Sequence, residues 1–150
     1  KRDSQLNLLV NLLIELLSVQ LVKVRGKSME PSIIEGSWVI SFRLGFRRRA
    51  PDRFDVVRLE DPGEAGHWIL KRIVGLPGEE VVLRAGELFV DGRAVVDAYA
   101  HYVQASSDKF EWWPRNDEYV VLGDNRLFST DSRKFGPVKR SAIRGRVKIS

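Results

Sequence analysis

The sequence predicts a mainly β domain with a helix at its N-terminal end, and three observations carry that expectation. Residues 6–22 are strongly apolar, with their polar positions at helical spacing. After Ser28 the chain breaks into short runs of β-branched and aromatic residues separated by polar turns. Two of those turns, Ala85-Gly86 and Asp91-Gly92, have the composition of tight hairpin connections. The 150 residues, 43% of them apolar, are enough to fill one core. The expected organisation is an apolar helix over 1–22 and one β domain over 23–150, with a small excursion at about 76–118.

In the first segment Asn7, Asn11, Glu15 and Ser18 recur at steps of four, four and three, which places them on one narrow helical stripe. A helix over 6–22 is roughly 25 Å long at the usual rise per residue, the short limit for crossing a bilayer. Glu15 makes it a poor isolated span, which leaves three arrangements open: the outer part of a membrane anchor, an interfacial helix, or a helix packed on the domain. Lys1-Arg2 ahead of it favour a cytoplasmic N-terminus on insertion. No small-residue cleavage site precedes the folded part, which argues against a cleaved leader. The missing initiator methionine is consistent with an anchor shortened upstream of Lys1.

Strands are expected over 37–42, 54–59, 67–74, 80–84 and 87–90. The last two form a hairpin about Ala85-Gly86, and Asp91-Gly92 turns the chain into 93–96 to complete a meander. Residues 97–118 carry Tyr99, Tyr102, Trp112, Trp113 and Pro114 without clear periodicity and read as an aromatic-bearing excursion. Strands over 119–122 and 145–149 close the domain.

A formal charge of +5 favours anionic surroundings without choosing among them. The basic residues concentrate in Arg43, Arg47, Arg48, Arg49 and Arg53, around an exposed-looking Phe46. Such a run suits anionic lipid or phosphates, or is simply a solvated loop. No recognition helix, zinc module or aromatic nucleic-acid signature accompanies it, so nucleic acid is not an expected partner. Without cysteine there is no disulfide or cysteine-metal framework, and His67 and His101 form no cluster at ligand spacing, so no metal is expected.

Two residues stand out for chemistry. Ser28, in Gly26-Lys27-Ser28-Met29-Glu30-Pro31, lies where a strand end meets a proline turn, a setting that holds a hydroxyl rigidly. A serine there is more often a hydrogen-bonding turn residue. Lys71 lies in an apolar run whose alternation puts His67, Ile69, Lys71 and Ile73 on one face. If that face is the inner one, burial disfavours the ammonium and draws the amine toward neutrality, as a base requires. On an edge strand the same lysine would snorkel to water. A neutral amine within reach of Ser28 can take the hydroxyl proton as the oxygen attacks a carbonyl.

Three blocks, in order, resemble those of the bacterial type I signal peptidases, membrane-bound serine endopeptidases that remove signal peptides from exported preproteins. Ser28-Met29-Glu30-Pro31-Ser32-Ile33 is similar to the nucleophile box, and Lys71-Arg72-Ile73-Val74-Gly75-Leu76-Pro77-Gly78-Glu79 to the general-base box. The run from Gly123-Asp124-Asn125-Arg126 through Ser129 to Asp131-Ser132-Arg133 is similar to the C-terminal box. The resemblance extends to about Val147 and implies a β barrel of coiled antiparallel sheets with an N-terminal helix. It further implies that Ser28 is the nucleophile, Lys71 the general base, and Ser129 the hydroxyl that hydrogen-bonds and aims the amine. Asp131 and Arg133 are implied as a supporting pair, Gly123, Asp124, Asn125 and Arg126 as the turn beside the lysine, and Met29, Ile33 and Leu70 as pocket residues. Met29 and Leu70 would line pockets for small side chains at the first and third positions before the cleaved bond.

The implied partners are signal peptides bound as extended strands and a membrane lipid surface, with no cofactor, and the implied location is the cell membrane with the catalytic domain on its extracytoplasmic side. Two positions depart from the pattern. Gly26 stands where some members place a hydroxyl as an extra oxyanion donor, which leaves the backbone N–H of Ser28. Phe54-Asp55 stands where Gly-Asp is usual. Two other readings share these residues: a self-cleaving repressor with a Ser-Lys core, and a catalytically silent, membrane-tethered module that binds extended peptides.

Overall fold

The computed structural model describes residues 2–43, 46, 49–103 and 107–149. Helix α1 (Arg2–Leu17) leads into strands β1 (Val19–Lys23), β2 (Trp38–Phe42), β3 (Val56–Glu60) and β4 (Trp68–Gly75). Then come β5 (Val81–Arg84), β6 (Glu87–Val90), β7 (Arg93–Val95), β8 (Lys109–Trp112) and β9 (Glu118–Leu122). The short helix α2 (Ser132–Phe135), β10 (Val138–Lys139) and β11 (Ile143–Lys148) complete the chain. One sheet has the order β1-β2-β11-β3-β4-β9-β10 and the other β7-β6-β5-β8, with antiparallel pairing throughout.

The larger sheet is strongly curled. Arg58 Nη1 on β3 donates to Gln20 Oε1 on β1 at 2.6 Å although β2 and β11 lie between those strands. Register shifts between Ile143 and Gly145 and between Ile73 and Gly75 supply bends. The curl gives the sheet an inside and an outside that both exclude water. Val57, Leu59, Ile73 and Val121 pack into one cluster, whereas their neighbours Val74, Val120 and Leu122 pack into a second with Val81, Leu83, Leu88 and Trp112 of the smaller sheet. Alternation thus sends consecutive residues of β4 and β9 into different cores. A third cluster, built on Val24, Met29, Ile33, Val39, Val56 and Val147, lies beneath the Ser28 segment.

The two hairpin turns form where the sequence places them, with φ positive at Ala85, Gly86, Asp91 and Gly92, the geometry of the tight connection that matches strand twist. Elsewhere the expectation needs correction. The apolar helix ends at Leu17 rather than continuing to residue 22, because Val19–Lys23 is an edge strand paired residue for residue with β2. Cross-strand hydrogen bonding overrides the helical spacing of Ser18. In α1 the side chains of Leu6, Leu8, Leu9, Leu12, Leu13 and Leu17 are all more than half exposed. Among the described residues no helix is long and apolar enough to cross a membrane.

The excursion also contains a strand that its sequence hides, β8, whose ladder partner is β5. Phe46 is 7% exposed, not exposed, and sits in the first core cluster under the guanidinium groups of Arg49 and Arg140. Arg49 pairs with Asp55, and Arg53 with Glu79, so these two arginines of the basic run tie loops together. Arg47 and Arg48 lie outside the described residues.

Trp112 joins the smaller sheet to the rest: it is buried in the second cluster and its Nε1 donates to the Ser132 carbonyl at 3.2 Å. Trp112→Ala is expected to lower stability by about 3–5 kcal/mol, read as a fall in the urea midpoint.

Candidate active site

The ladder between β1 and β2 runs on past the strands, with Val24 N donating to Ser37 O at 2.8 Å and Gly36 N to Val24 O at 2.9 Å. The chain then turns through residues 28–32. Met29 and Ile33, 1% and 3% exposed, plug the third core cluster, with Leu70 packed against it. These anchors fix the turn and leave Ser28 half-buried above them. From the other side Asn125 N donates to Ser28 O at 3.0 Å, so the serine is held between two independent segments.

Lys71 stands on β4 with Ile69 and Ile73, and both isoleucines pack in the first core cluster. This part of the face is the inner one, and Lys71 is only 3% exposed, whereas His67 at the strand's start is exposed. Its Nζ lies 2.8 Å from Ser28 Oγ. Burial pushes the amine down from its ordinary value to about 8; Asp131, Asp61 and Asp124 pull the other way, and Arg133 adds to the fall.

The segment 123–133 walls the pair in. A Cβ on Gly123 would lie 2.2 Å from Ser129 Oγ and 2.5 Å from Ser28 O, so only glycine allows this approach. Asp131 accepts from Gly123 N at 3.0 Å and takes a two-pronged ion pair from Arg133, with both contacts at 2.9 Å. It also caps α2. Burial alone would raise its carboxyl, but Arg133, the Gly123 N–H and Ser129 outweigh that and hold it below the usual carboxylate value. Arg133 Nη1 also donates to Arg126 O at 2.9 Å, tying the end of the segment to its start.

Asp124 forms a second two-pronged pair with Arg72, at 2.8 and 2.7 Å, its partner following Lys71 in the chain. Both side chains are almost wholly buried. Arg72 also donates to Phe54 O at 2.8 Å and stacks 3.6 Å above the Tyr99 ring. Arg126 pairs with Asp97, and Asn125 Oδ1 accepts from Phe128 N at 3.2 Å. Arg72, Asp97 and Tyr99 were not foreseen as site residues. Arg72 is quoted in the lysine box, but only the folded register reveals which carboxylate it meets.

Two sequence expectations differ in the structure. Ser129 Oγ is buried without a hydrogen-bond partner and so does not bond Lys71 Nζ. It lies against Gly123 and near enough to Asp131 to help lower that carboxyl, at a geometry short of a hydrogen bond. Ile33 lines no cleft beside Ser28; it packs underneath, in the core.

The cleft at the serine has a volume of about 250 Å³ and includes Met29, Ile69, Leu70, Val22 and Arg58 in its wall. A larger cavity of about 600 Å³ lies between Phe54, Tyr99, Arg72 and the end of β11. It touches neither Ser28 nor Lys71, so the smaller cleft is the one placed for chemistry. Beside that cleft the pairing of β4 with β9 begins only at Arg72, which leaves the outer edge of Trp68–Lys71 without a strand partner among the described residues.

Comparison with known proteins gives this geometry a family. Residues 5–150 match the family described as signal peptidase, peptidase S26. The chain belongs to the signal peptidase family. It is therefore a serine endopeptidase. Signal peptidase I V of Bacillus subtilis is 32% identical over 136 residues, covering 82% of this chain and 80% of the relative. A probable signal peptidase I-2 of Synechocystis is 34% identical over 131 residues, covering 82% of this chain and 58% of that one. A signal peptidase I structure from Enterococcus faecalis superposes with a TM-score of 0.59 at 29% identity, covering 67% of this chain and 98% of the other. The curled antiparallel sheets expected from the sequence are thus those of a signal peptidase fold.

Phe54, where the family pattern has glycine, takes a left-handed φ of 69°. That conformation costs a residue with a Cβ about 1–2 kcal/mol. Offsetting contacts come from its N–H, which donates to Ile73 O at 2.7 Å, and from its ring, whose centroid is 5.5 Å from that of Tyr99. Gly26 carries no hydroxyl, and its N–H is held by Glu35 at 2.9 Å.

Removing Asp124 would strand the buried Arg72 charge beside the site. Asp124→Ala is expected to cost about 3–5 kcal/mol, whereas reversal of both partners' charges would not restore it, because Arg72 also serves Phe54 O and Tyr99. Urea unfolding of the single and double variants measures this.

Proposed function

We propose that this member of the signal peptidase family removes signal peptides from exported preproteins with Ser28 Oγ as nucleophile and Lys71 Nζ as general base. The 2.8 Å contact between a buried amine and that hydroxyl is the observation that carries the reading. Lys71 accepts the Ser28 proton as Oγ attacks the carbonyl carbon of the residue before the cleaved bond. The negative charge that develops on the carbonyl oxygen is met by backbone N–H groups, chiefly that of Ser28. When the tetrahedral intermediate collapses, the C–N bond breaks and the Lys71 ammonium gives its proton to the departing amine. A water molecule then attacks the ester, Lys71 taking its proton and returning it to Ser28 Oγ as the acid leaves.

The substrate lies as an extended strand along the unpartnered edge of β4, where main-chain hydrogen bonds give affinity and side-chain pockets give register. Met29 and Leu70 are the pocket residues of the cleft. Asp131, Arg133 and the turn 123–126 hold the wall around the amine, and Ser129 belongs to that wall through its approach to Gly123. The exposed leucines of α1 meet lipid, with the catalytic domain on the extracytoplasmic side of the cell membrane.

Incubation with a preprotein in detergent tests the assignment: the wild type releases the mature protein, and Ser28→Ala and Lys71→Met each abolish release while circular dichroism stays unchanged. A fully active Lys71→Met protein would refute the dyad. Because only the neutral amine is a base, kcat/KM is expected to climb with pH to a plateau above about 8 and to lie roughly a hundredfold lower two pH units below it.

The same amine also affects stability. Its folded value of about 8 lies below the ordinary 10.5, so between those limits the unfolded chain holds the extra proton and stability rises with pH. Below that window the buried ammonium destabilises by on the order of 3 kcal/mol. Lys71→Met is therefore expected to be more stable than the wild type at neutral pH, by urea unfolding, with the advantage shrinking as pH rises through the window.

A further inference from the structure

We propose that Leu127 and Phe128 form the surface that takes the substrate beyond the cleaved bond, and that they favour a large apolar side chain within the first three residues of the released chain. The inference rests on the proposed peptidase reading and adds to it a preference on the far side of the bond. The cleft of about 250 Å³ runs from Ser28 along the ends of β1 and β4, and none of residues 123–133 lines it. Those residues bound the nucleophile outside the cleft. Asn125 N donates to Ser28 O at 3.0 Å, and a Cβ on Gly123 would lie 2.5 Å from that oxygen and 2.2 Å from Ser129 Oγ. Phe128 therefore adjoins a residue that stands almost against the serine. With the upstream half of the substrate in the cleft, the half beyond the bond leaves it, and residues 123–133 are the wall it meets beside Ser28. At about 3.3 Å per extended residue, its first three residues cover about 10 Å of that wall.

Leu127 and Phe128 are 52% and 66% exposed, although Arg126 before them and Asp131 and Ser132 after them are buried. Single apolar residues at a surface are ordinary, but these two are adjacent and their backbone is pinned. Phe128 N donates to Asn125 Oδ1 at 3.2 Å, and Arg133 Nη1 donates to Arg126 O at 2.9 Å. The excursion extends the surface. His101 N donates to Asp124 O at 2.8 Å and Arg126 N to His101 O at 3.0 Å, which brings the exposed Tyr102 and Val103 close to this segment. Val103 and Leu127 share the wall of one small cleft. Every charged side chain from 123 to 133 is already paired within the fold, Asp124 with Arg72, Arg126 with Asp97 and Asp131 with Arg133. What the surface offers a passing chain is thus apolar contact, and an apolar side chain laid on it removes area of both partners from water.

The test is a set of peptides with one fixed upstream sequence and Ala, Leu, Phe, Glu or Lys at each of the first three positions after the cleaved bond. They are assayed with wild type, Phe128→Leu, Phe128→Ala, Phe128→Glu and Leu127→Ala. For the wild type, kcat/KM with Leu or Phe is expected to exceed that with Ala on the order of tenfold at one or more of these positions. Phe128→Leu should keep the preference, Phe128→Ala and Leu127→Ala should each bring the ratio toward one, and Phe128→Glu should make Lys the preferred side chain. Each comparison is a ratio within one protein, so a general loss of folded enzyme cannot mimic it. A second series varies the residues before the bond in the same way. A wild-type ratio near one at all three positions, a ratio untouched by the substitutions, or an equal change in the second series overturns the proposal and leaves the peptidase reading standing. So does an unchanged ratio joined to weaker sedimentation with phosphatidylglycerol–phosphatidylcholine vesicles, the result expected of a surface that meets lipid instead. Failure of the wild type to cleave any peptide overturns both.

Discussion

An amine can act as a base near neutrality only where water is kept from it, and the enclosure of Lys71 is the constraint on which the rest of this structure depends. Three stretches far apart in the chain build that enclosure: the turn that begins at Ser28, the middle of β4, and residues 123–133. Each is pinned by something other than the amine. Met29 plugs the core, Arg72 grips Asp124, and Asp131 holds both Gly123 and Arg133. Removing any of these would leave the serine and lysine present but free to separate, and a displacement of one ångström is enough to disable such chemistry.

The ion pairs around the site are better understood as positioning devices than as sources of stability. Arg72 with Asp124 and Arg126 with Asp97 are almost wholly buried, where desolvation consumes most of what attraction returns. What they add is direction. Each joins the 123–126 turn to a different part of the chain, β4 in one case and the aromatic-bearing excursion in the other. The excursion is thereby a structural support of the site. Phe54 fits the same logic: its backbone is unfavourable for phenylalanine, yet its carbonyl receives Arg72 and its ring leans on Tyr99.

Much of the architecture was legible in the sequence because it rests on local chemistry. The 85–86 and 91–92 turns declare themselves by residue type, and the alternation in β4 placed Lys71 on the same face as two core isoleucines. What escaped depends on partners distant in the chain. Val19–Lys23 is apolar enough for either state, and only pairing with β2 makes it a strand. Lys109–Trp112 is too short to announce itself without β5 beside it. Phe46 looked exposed because its neighbours are arginines, whereas two of the molecule's guanidinium groups cover its ring. At the site, type and context alone left Ser28 a turn residue and Lys71 a snorkelling one; the resemblance of their boxes brought the two together, and they lie 2.8 Å apart. The partner of Arg72 was not legible, because only the folded register sets it against Asp124.

The uncovered rim of β4 between Trp68 and Lys71 has one more implication. Main-chain amides and carbonyls are common to every polypeptide, so a rim of this kind discriminates by availability and not by identity. A finished globular domain has already committed its own backbone to ladders and helices and has little left to offer. A newly emerged, still unstructured segment has all of it. Folding state, before any side chain is inspected, would therefore decide what such a rim can grasp, and completed neighbours would pass it untouched.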